Sequence, residues 1–153
     1  MNIIYHCVGG AHSSVLASAI HLGLLPIDSS PTVADILSIP YFDTLAKHEQ
    51  GRLMLRGIDE NGNKIFTLSR QFSPHLVLPA IKDAYQLGGG DTKDLLFVNV
   101  LPAVNTIMKI GGFSSRRLNL VAFGRPIVAY GSIRAFNKIA QIVNHTKIMI
   151  DNS

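Results

Sequence analysis

The chain of 153 residues contains one cysteine, Cys7. No intramolecular disulfide can form, and there is no cysteine-rich metal framework. Charge is equally scarce: Asp, Glu, Lys and Arg make up 16% of the residues, and the lysines and arginines are scattered rather than grouped in runs. The formal net charge of +4 is therefore an ordinary basic surface with a mild bias towards anionic ligands. Aromatic residues are 7% and are not interleaved with basic ones, which argues against a nucleic-acid platform. No GxGxxG follows a strand-like run, so a dinucleotide site of the Rossmann kind has no support. The histidines show no HxxxH or HxH spacing, and no metal is expected. Apolar stretches are interrupted by His21, Pro26 or Pro102 before reaching the ~20 residues of a membrane helix. Met1-Asn2-Ile3 lacks the basic start of a signal peptide, so the expected compartment is the cytoplasm, without membrane association.

What is present is apolar: 47% of the residues are hydrophobic, enough for a continuous core in one α/β domain over residues 1–153. The apolar surplus leaves a twofold homodimer open. The chain begins with a strand-like run from Asn2 to about Val8, a turn at Gly9-Gly10, and a helix from Ser13 to about Leu22 closed by Gly23. Ser30 and Pro31 are expected to open a second helical stretch that Pro40 divides in two. Two β-prone runs flank Asp59-Glu60-Asn61-Gly62-Asn63, which predicts a hairpin over about 52–70, placed as an antiparallel edge extension. Ser73-Pro74 opens a helix to Leu87, and Leu95 to Val100 reads as a central strand buried on both faces. A helix from Pro102 to Gly111-Gly112 follows, then a strand over Leu118–Phe123, a turn at Gly124-Arg125-Pro126, extended chain over Ile127–Tyr130 and a helix from Ser132 to His145. The alternation predicts a three-layer sandwich with a mostly parallel sheet, P-loop-like or Rossmann-like, plus one hairpin. In such folds ligands lie beyond the carboxyl ends of the strands.

The stretch His6-Cys7-Val8-Gly9-Gly10-Ala11-His12-Ser13-Ser14 lies at such an end. A glycine turn feeding a hydroxyl-capped helix offers free backbone N–H groups and the positive end of a helix dipole to an anion. The loop resembles a P-loop, GxxxxGK[ST], in context; laid on that pattern, His6 and Ala11 stand at the glycines, His12 at the lysine and Ser13 at the hydroxyl. It also resembles the cysteine phosphatase signature CxxxxxR[ST], with Cys7 in place and Ser13 where the clamping arginine belongs. The bland alternative is a tight βα turn, an N-cap serine and an inert thiol. His6 and His12 are candidates for general acid–base or anion contacts, each with the alternative of a hydrogen-bonded structural histidine. Arg125 is expected near the crevice, whereas Arg116 and Arg117 are expected at a helix end or in solvent, and Asn99 and Asn105 are the other polar candidates.

With Tyr5 to Ser14 and the downstream Ile20-His21-Leu22-Gly23-Leu24-Leu25-Pro26 in view, the chain resembles a small family of Firmicutes proteins catalogued only as a domain of unknown function. The resemblance covers nearly the whole length and rests on a YHCxGGAHSS-type opening. It implies a cytoplasmic bacterial protein and carries over no activity. The residues themselves point to a phosphate-bearing small molecule, with a nucleotide as one form of it, bound by Gly9, Gly10, Ser13, Ser14 and Arg125 with His6 and His12 beside it. Magnesium enters only if that ligand is a nucleotide. On this reading Gly10→Val is expected to weaken binding without unfolding the protein. Two rivals stand beside it: a phosphoryl-transfer or hydrolytic enzyme using His12 or His6, and an assembly module in which the loop is only a turn.

Overall fold

A computed structural model describes residues 1–116 and 121–152. Four strands form one sheet: β1 (Asn2–Cys7), β2 (Leu53–Ile58), β3 (Lys64–Ser69) and β4 (Leu95–Asn99), in the order β2-β3-β1-β4. Strand β1 is central and parallel to both neighbours, with Tyr5 opposite Thr67 on one side and Val98 on the other. Strand β2 runs antiparallel to β3 at the edge, as the Asn61-Gly62 turn predicts, with Gly62 at φ 78°.

Alternation along β1 splits its side chains between two faces. Ile3, Tyr5 and Cys7 join the main core with α1 (Ser13–His21), α2 (Val33–Ser38), α4 (Thr106–Arg116) and α5 (Val121–Asp151). Ile4 and His6 face the other way, towards α3 (Pro74–Leu87), whose Lys82 lies over the Phe97 ring and whose Tyr85 hydroxyl accepts a bond from Asn2. Helix α1 is buried at every position, which its small residues Ala17, Ser18 and Ala19 permit. Helix α5 presents Val128, Ala129, Ser132, Ala135, Phe136, Ile139, Ala140 and Val143 at helical spacing to the core. Burying each of its larger apolar side chains contributes about 1.5–3 kcal/mol.

Several local expectations give way to packing. The predicted turn at Gly124-Arg125-Pro126 and the extended run over Ile127–Tyr130 lie inside α5. Of the predicted strand 118–123, residues 118–120 lie outside the described residues, as does Arg117, and Val121–Phe123 begin α5. A continuous apolar run fits a buried helix as well as a buried strand. Gly111-Gly112 does not stop α4: a Cβ on Gly111 would come within 2.5 Å of the Val128 nitrogen, and one on Gly131 within 2.7 Å of that of Met108. These glycines let α4 and α5 touch backbone to backbone. Helix α2 starts at Thr32, not Ser30, because Thr32 and Asp35 complete a capping box. After Pro40 only a short 3₁₀ turn forms, at Lys47–Glu49. Strand β4 is an edge strand, half-exposed, and Asn99 at its end is exposed and accepts a bond from Leu101 N–H.

Candidate functional site

The parallel arrangement places the carboxyl ends of β1, β3 and β4 on one edge of the sheet. Strands β1 and β3 are neighbours whose chains leave towards opposite faces, β1 to α1 and β3 to α3, and a crevice at such a switch point is where ligands bind in sheets of this type. Hydrogen bonding between the two strands continues past their ends: Arg70 N–H donates to Cys7 O and Gln71 N–H to Val8 O.

The loop after β1 is held in one shape. Gly10 has φ 68°, and a Cβ there would meet the Cβ, Cα and N of Ser69 at 2.6–2.7 Å, so both conformation and space demand glycine. This corrects the expectation that Gly10→Val tests binding alone, because the added side chain collides with β3 backbone. Gly9 is exposed and has open space around it. Cys7 Sγ accepts the Gly10 N–H at 3.1 Å and its thiol points at Ser14 Oγ at 3.5 Å. Ala11, Ser13 and Ser14 are buried. Among the described residues the backbone N–H groups of Gly9, Ala11, His12, Ser13 and Ser14 meet no acceptor, nor does the Ser13 hydroxyl. The first-turn amides of α1 lack acceptors by the nature of a helix start, and no side chain caps them here. Buried donors of this kind cost free energy until something accepts from them.

The two predicted histidines take separate partners. His12 Nε2 is 2.8 Å from Asp43 Oδ1, its ring packs edge-on against Phe42, and it lies against Gly112 of α4. Asp43 is buried, has φ 59°, and donates its own N–H to Ala11 O, so one residue braces both the loop and the imidazole. With Nε2 facing the carboxylate, Nδ1 is the ring nitrogen left for another partner. His6 faces the α3 side. There Arg70 Nε–H donates to its Nδ1 at 3.2 Å, and burial, reinforced by the Arg70 charge, lowers its pKa to about 4. At neutral pH His6 is an acceptor, not an acid.

Arg125 sits in α5 rather than in a turn at a strand end, and its Nε is buried without a partner. Asn105 caps α4 by accepting from Met108 N–H and ties it to α5 through Gly131 O. Two residues that the sequence did not single out as site candidates border this loop: Asp43 through His12 and Ala11 O, and Arg70 through its main-chain bond to Cys7 O. Among the described residues, three non-glycine positions have left-handed backbone, Tyr41, Asp43 and Gln71, and the latter two hydrogen-bond to the β1–α1 loop. Strain of that kind collects where a structure holds a functional loop in place.

A second polar cluster lies at the far end of α1. Tyr5 OH donates to His21 Nδ1 at 2.7 Å and His21 Nε2 donates to Asp59 Oδ2 at 3.1 Å, while Asp59 also accepts from Asn61 N–H, Asn63 N–H and Asn63 Nδ2. Burial holds the His21 pKa below its usual value and raises that of Tyr5. Among the described residues no three His, Cys, Asp or Glu side chains gather as a metal site, and no helix is long and apolar enough to cross a membrane. A family model described as "Protein of unknown function (DUF3189)" matches residues 2–148. No curated protein and no solved structure matches the chain.

Proposed function

We propose that this chain, which belongs to that family of unknown function, binds a phosphate-bearing small molecule at the loop between β1 and α1. The observation that carries the reading is the run of backbone donors from Ala11 to Ser14, without protein acceptors, at the start of a nine-residue helix. Successive amides of this kind form an anion-binding nest, and the helix dipole adds to its pull. The exposed Gly9 beside these donors and the Ser13 hydroxyl, a further donor, support the reading. Arg125 contributes long-range positive charge in this reading. Where the ligand is a nucleotide, a magnesium ion would accompany it.

Gly9→Asp is the cleanest test, since its side chain meets nothing in the fold and places a negative charge at the rim. Calorimetric titration with inorganic phosphate and a panel of phosphate monoesters should give saturable binding to the unmodified chain and a loss of roughly tenfold or more in Gly9→Asp, on the order of one charged contact. Equal binding to both proteins would contradict the reading.

The His12–Asp43 pair favours a second reading, phosphoryl transfer or hydrolysis with His12 as acid–base group and Asp43 as its positioning residue. Turnover of a phosphoester that disappears in His12→Ala supports it; no turnover across a broad nucleotide and phosphoester panel removes it.

A further inference from the structure

Strand β4 has the sequence of a central strand and the position of an edge strand. Leu95-Leu96-Phe97-Val98-Asn99 carries no charge and no proline, and its ladder with β1 has no bulge, yet among the described residues β4 pairs with β1 alone. The opposite edge, β2, is interrupted by a bulge between Leu55 and Gly57, one of the devices that keep an edge from pairing. In a parallel ladder the main-chain groups of alternate residues point to alternate sides. Val100 N–H donates to His6 O, so Leu96 and Val98 bond towards β1, and the N–H and C=O of Phe97 and Asn99 point out of the sheet edge. Beside that edge runs a groove of about 610 Å³, whose lining includes Leu96 and Val98 of β4 and Lys138, Ile142, His145 and Met149 of α5. The four α5 residues recur at i, i+4, i+7 and i+11, one stripe of a helix, and Lys138, His145 and Met149 are exposed. Further along α5, Lys147, Ile150 and Asp151 lie around Asp59 and Asn61 of the hairpin turn, at the end of the sheet where Lys64 N–H donates to Met1 O. Helix α5 therefore runs antiparallel to β4, with Met149 towards the amino end of the strand and Lys138 towards its Asn99 end.

We infer that this edge is covered by a second copy of the chain, paired β4 to β4 about a twofold axis beside Phe97 and perpendicular to the sheet. An antiparallel strand pair centred there lets the two Phe97 residues exchange both main-chain bonds and lets Asn99 N–H donate to Leu95 O of the partner subunit. The same axis sets the two α5 stripes antiparallel on one side of the joined sheet. It also brings Lys138 to the amino end of the partner strand, where the exposed Asp91 and Asp94 outnumber Lys93. The uncharged strand meets its own copy without opposing like charges, and the basic end of one groove meets the acidic end of the other. A stable interface buries about 1,200–2,000 Å² of surface. A strand of 5 residues offers less than that, so the α5 stripe takes part in the contact. The pairing turns β4 into an interior strand of a sheet continuous through both copies.

The test is sedimentation equilibrium of the full chain, with hydrogen exchange of the Phe97 and Asn99 amides followed over the same concentrations. The expected result is a dimer in the micromolar range, with both amides protected in the dimer and exchanging freely in the monomer. Lys138→Glu should weaken association roughly tenfold or more, by setting acid against acid at both ends of the interface, and adding Asp94→Lys to the same chain should restore it. Both positions are exposed, so the exchange leaves the fold intact. A chain that stays monomeric up to roughly millimolar concentration overturns the inference. So does a dimer whose Phe97 and Asn99 amides exchange freely, since it pairs through another face. Lys138→Glu that associates like the unmodified chain, or a double variant that is not restored, contradicts the β4-to-β4 pairing. Protection of the two amides only when a synthetic apolar peptide is added to a chain that remains monomeric assigns the edge to a foreign strand and overturns it too.

Discussion

The two ends of helix α1 each carry a part-buried histidine–carboxylate pair, and they differ in what is left over. At its C-terminal end, His21 uses both ring nitrogens, on Tyr5 and Asp59, and Asp59 is further satisfied by the hairpin turn. At its N-terminal end, Asp43 braces His12 and the loop, but a run of main-chain donors is without protein acceptors. The first arrangement ties β1, α1 and the hairpin together. The second is assembled at a cost in strained backbone and uncompensated donors, and the proposed binding site rests on that difference. A histidine beside an aspartate is thus no sign of function by itself; the satisfaction of its surroundings separates a structural network from a site.

The largest effect should come from Gly10→Ala. Left-handed backbone and overlap with Ser69 together should cost about 3–5 kcal/mol or prevent folding, measured by urea denaturation. A loss under 1 kcal/mol would mean that the loop is not held as described. Next comes Asp59→Ala, which strips the buried His21 and Asn63 of their acceptor and should cost about 2–3 kcal/mol. If that substitution is neutral, the contrast between the two ends collapses.

Acid should weaken the fold through the same groups. In the folded state the His6 pKa is lowered from 6.5 to about 4, so the unfolded chain binds the proton first and stability falls as pH drops across that interval. His21, lowered mainly by burial, acts with the same sign, and the lowered Asp59 extends the loss to more acid pH. Above pH 6.5 these contributions are complete. Unfolding free energy should hold level above pH 6.5 and decline from there to pH 4, and a flat profile over that interval would show that neither histidine is held neutral. The smallest effect is expected for Ser13→Ala, within about 0.5 kcal/mol in stability because its hydroxyl has no protein partner, while phosphate binding weakens. A large stability loss there would reassign Ser13 to the structure.

The opening strand, the glycine turn, helix α1, the hairpin and helix α3 were legible because each carries local punctuation: Gly9-Gly10, Gly23, Asn61-Gly62 and Ser73-Pro74. The helices after Pro102 and from Ser132 onward were legible too, but the stop at Gly111-Gly112 and the turn and extended run over Gly124–Tyr130 were misread for a physical reason. Gly111 and Gly131, local breakers by propensity, serve as close contacts between α4 and α5, a tertiary use that no single-chain pattern reveals. The loop residues of the candidate site could be named from the sequence because they are contiguous in it. Asp43 and Arg70 were not, since each enters from a distant segment, and Arg70 becomes visible only once β3 is known to lie parallel beside β1.

The central claim, that the amides opening α1 accept an external anion, is tested most directly by diffraction from crystals soaked in arsenate, a phosphate analogue with its own anomalous signal. An arsenic peak within hydrogen-bonding reach of the Ala11–Ser14 amides is the predicted result; a fully occupied arsenate elsewhere, with those amides turned to protein acceptors, would contradict it.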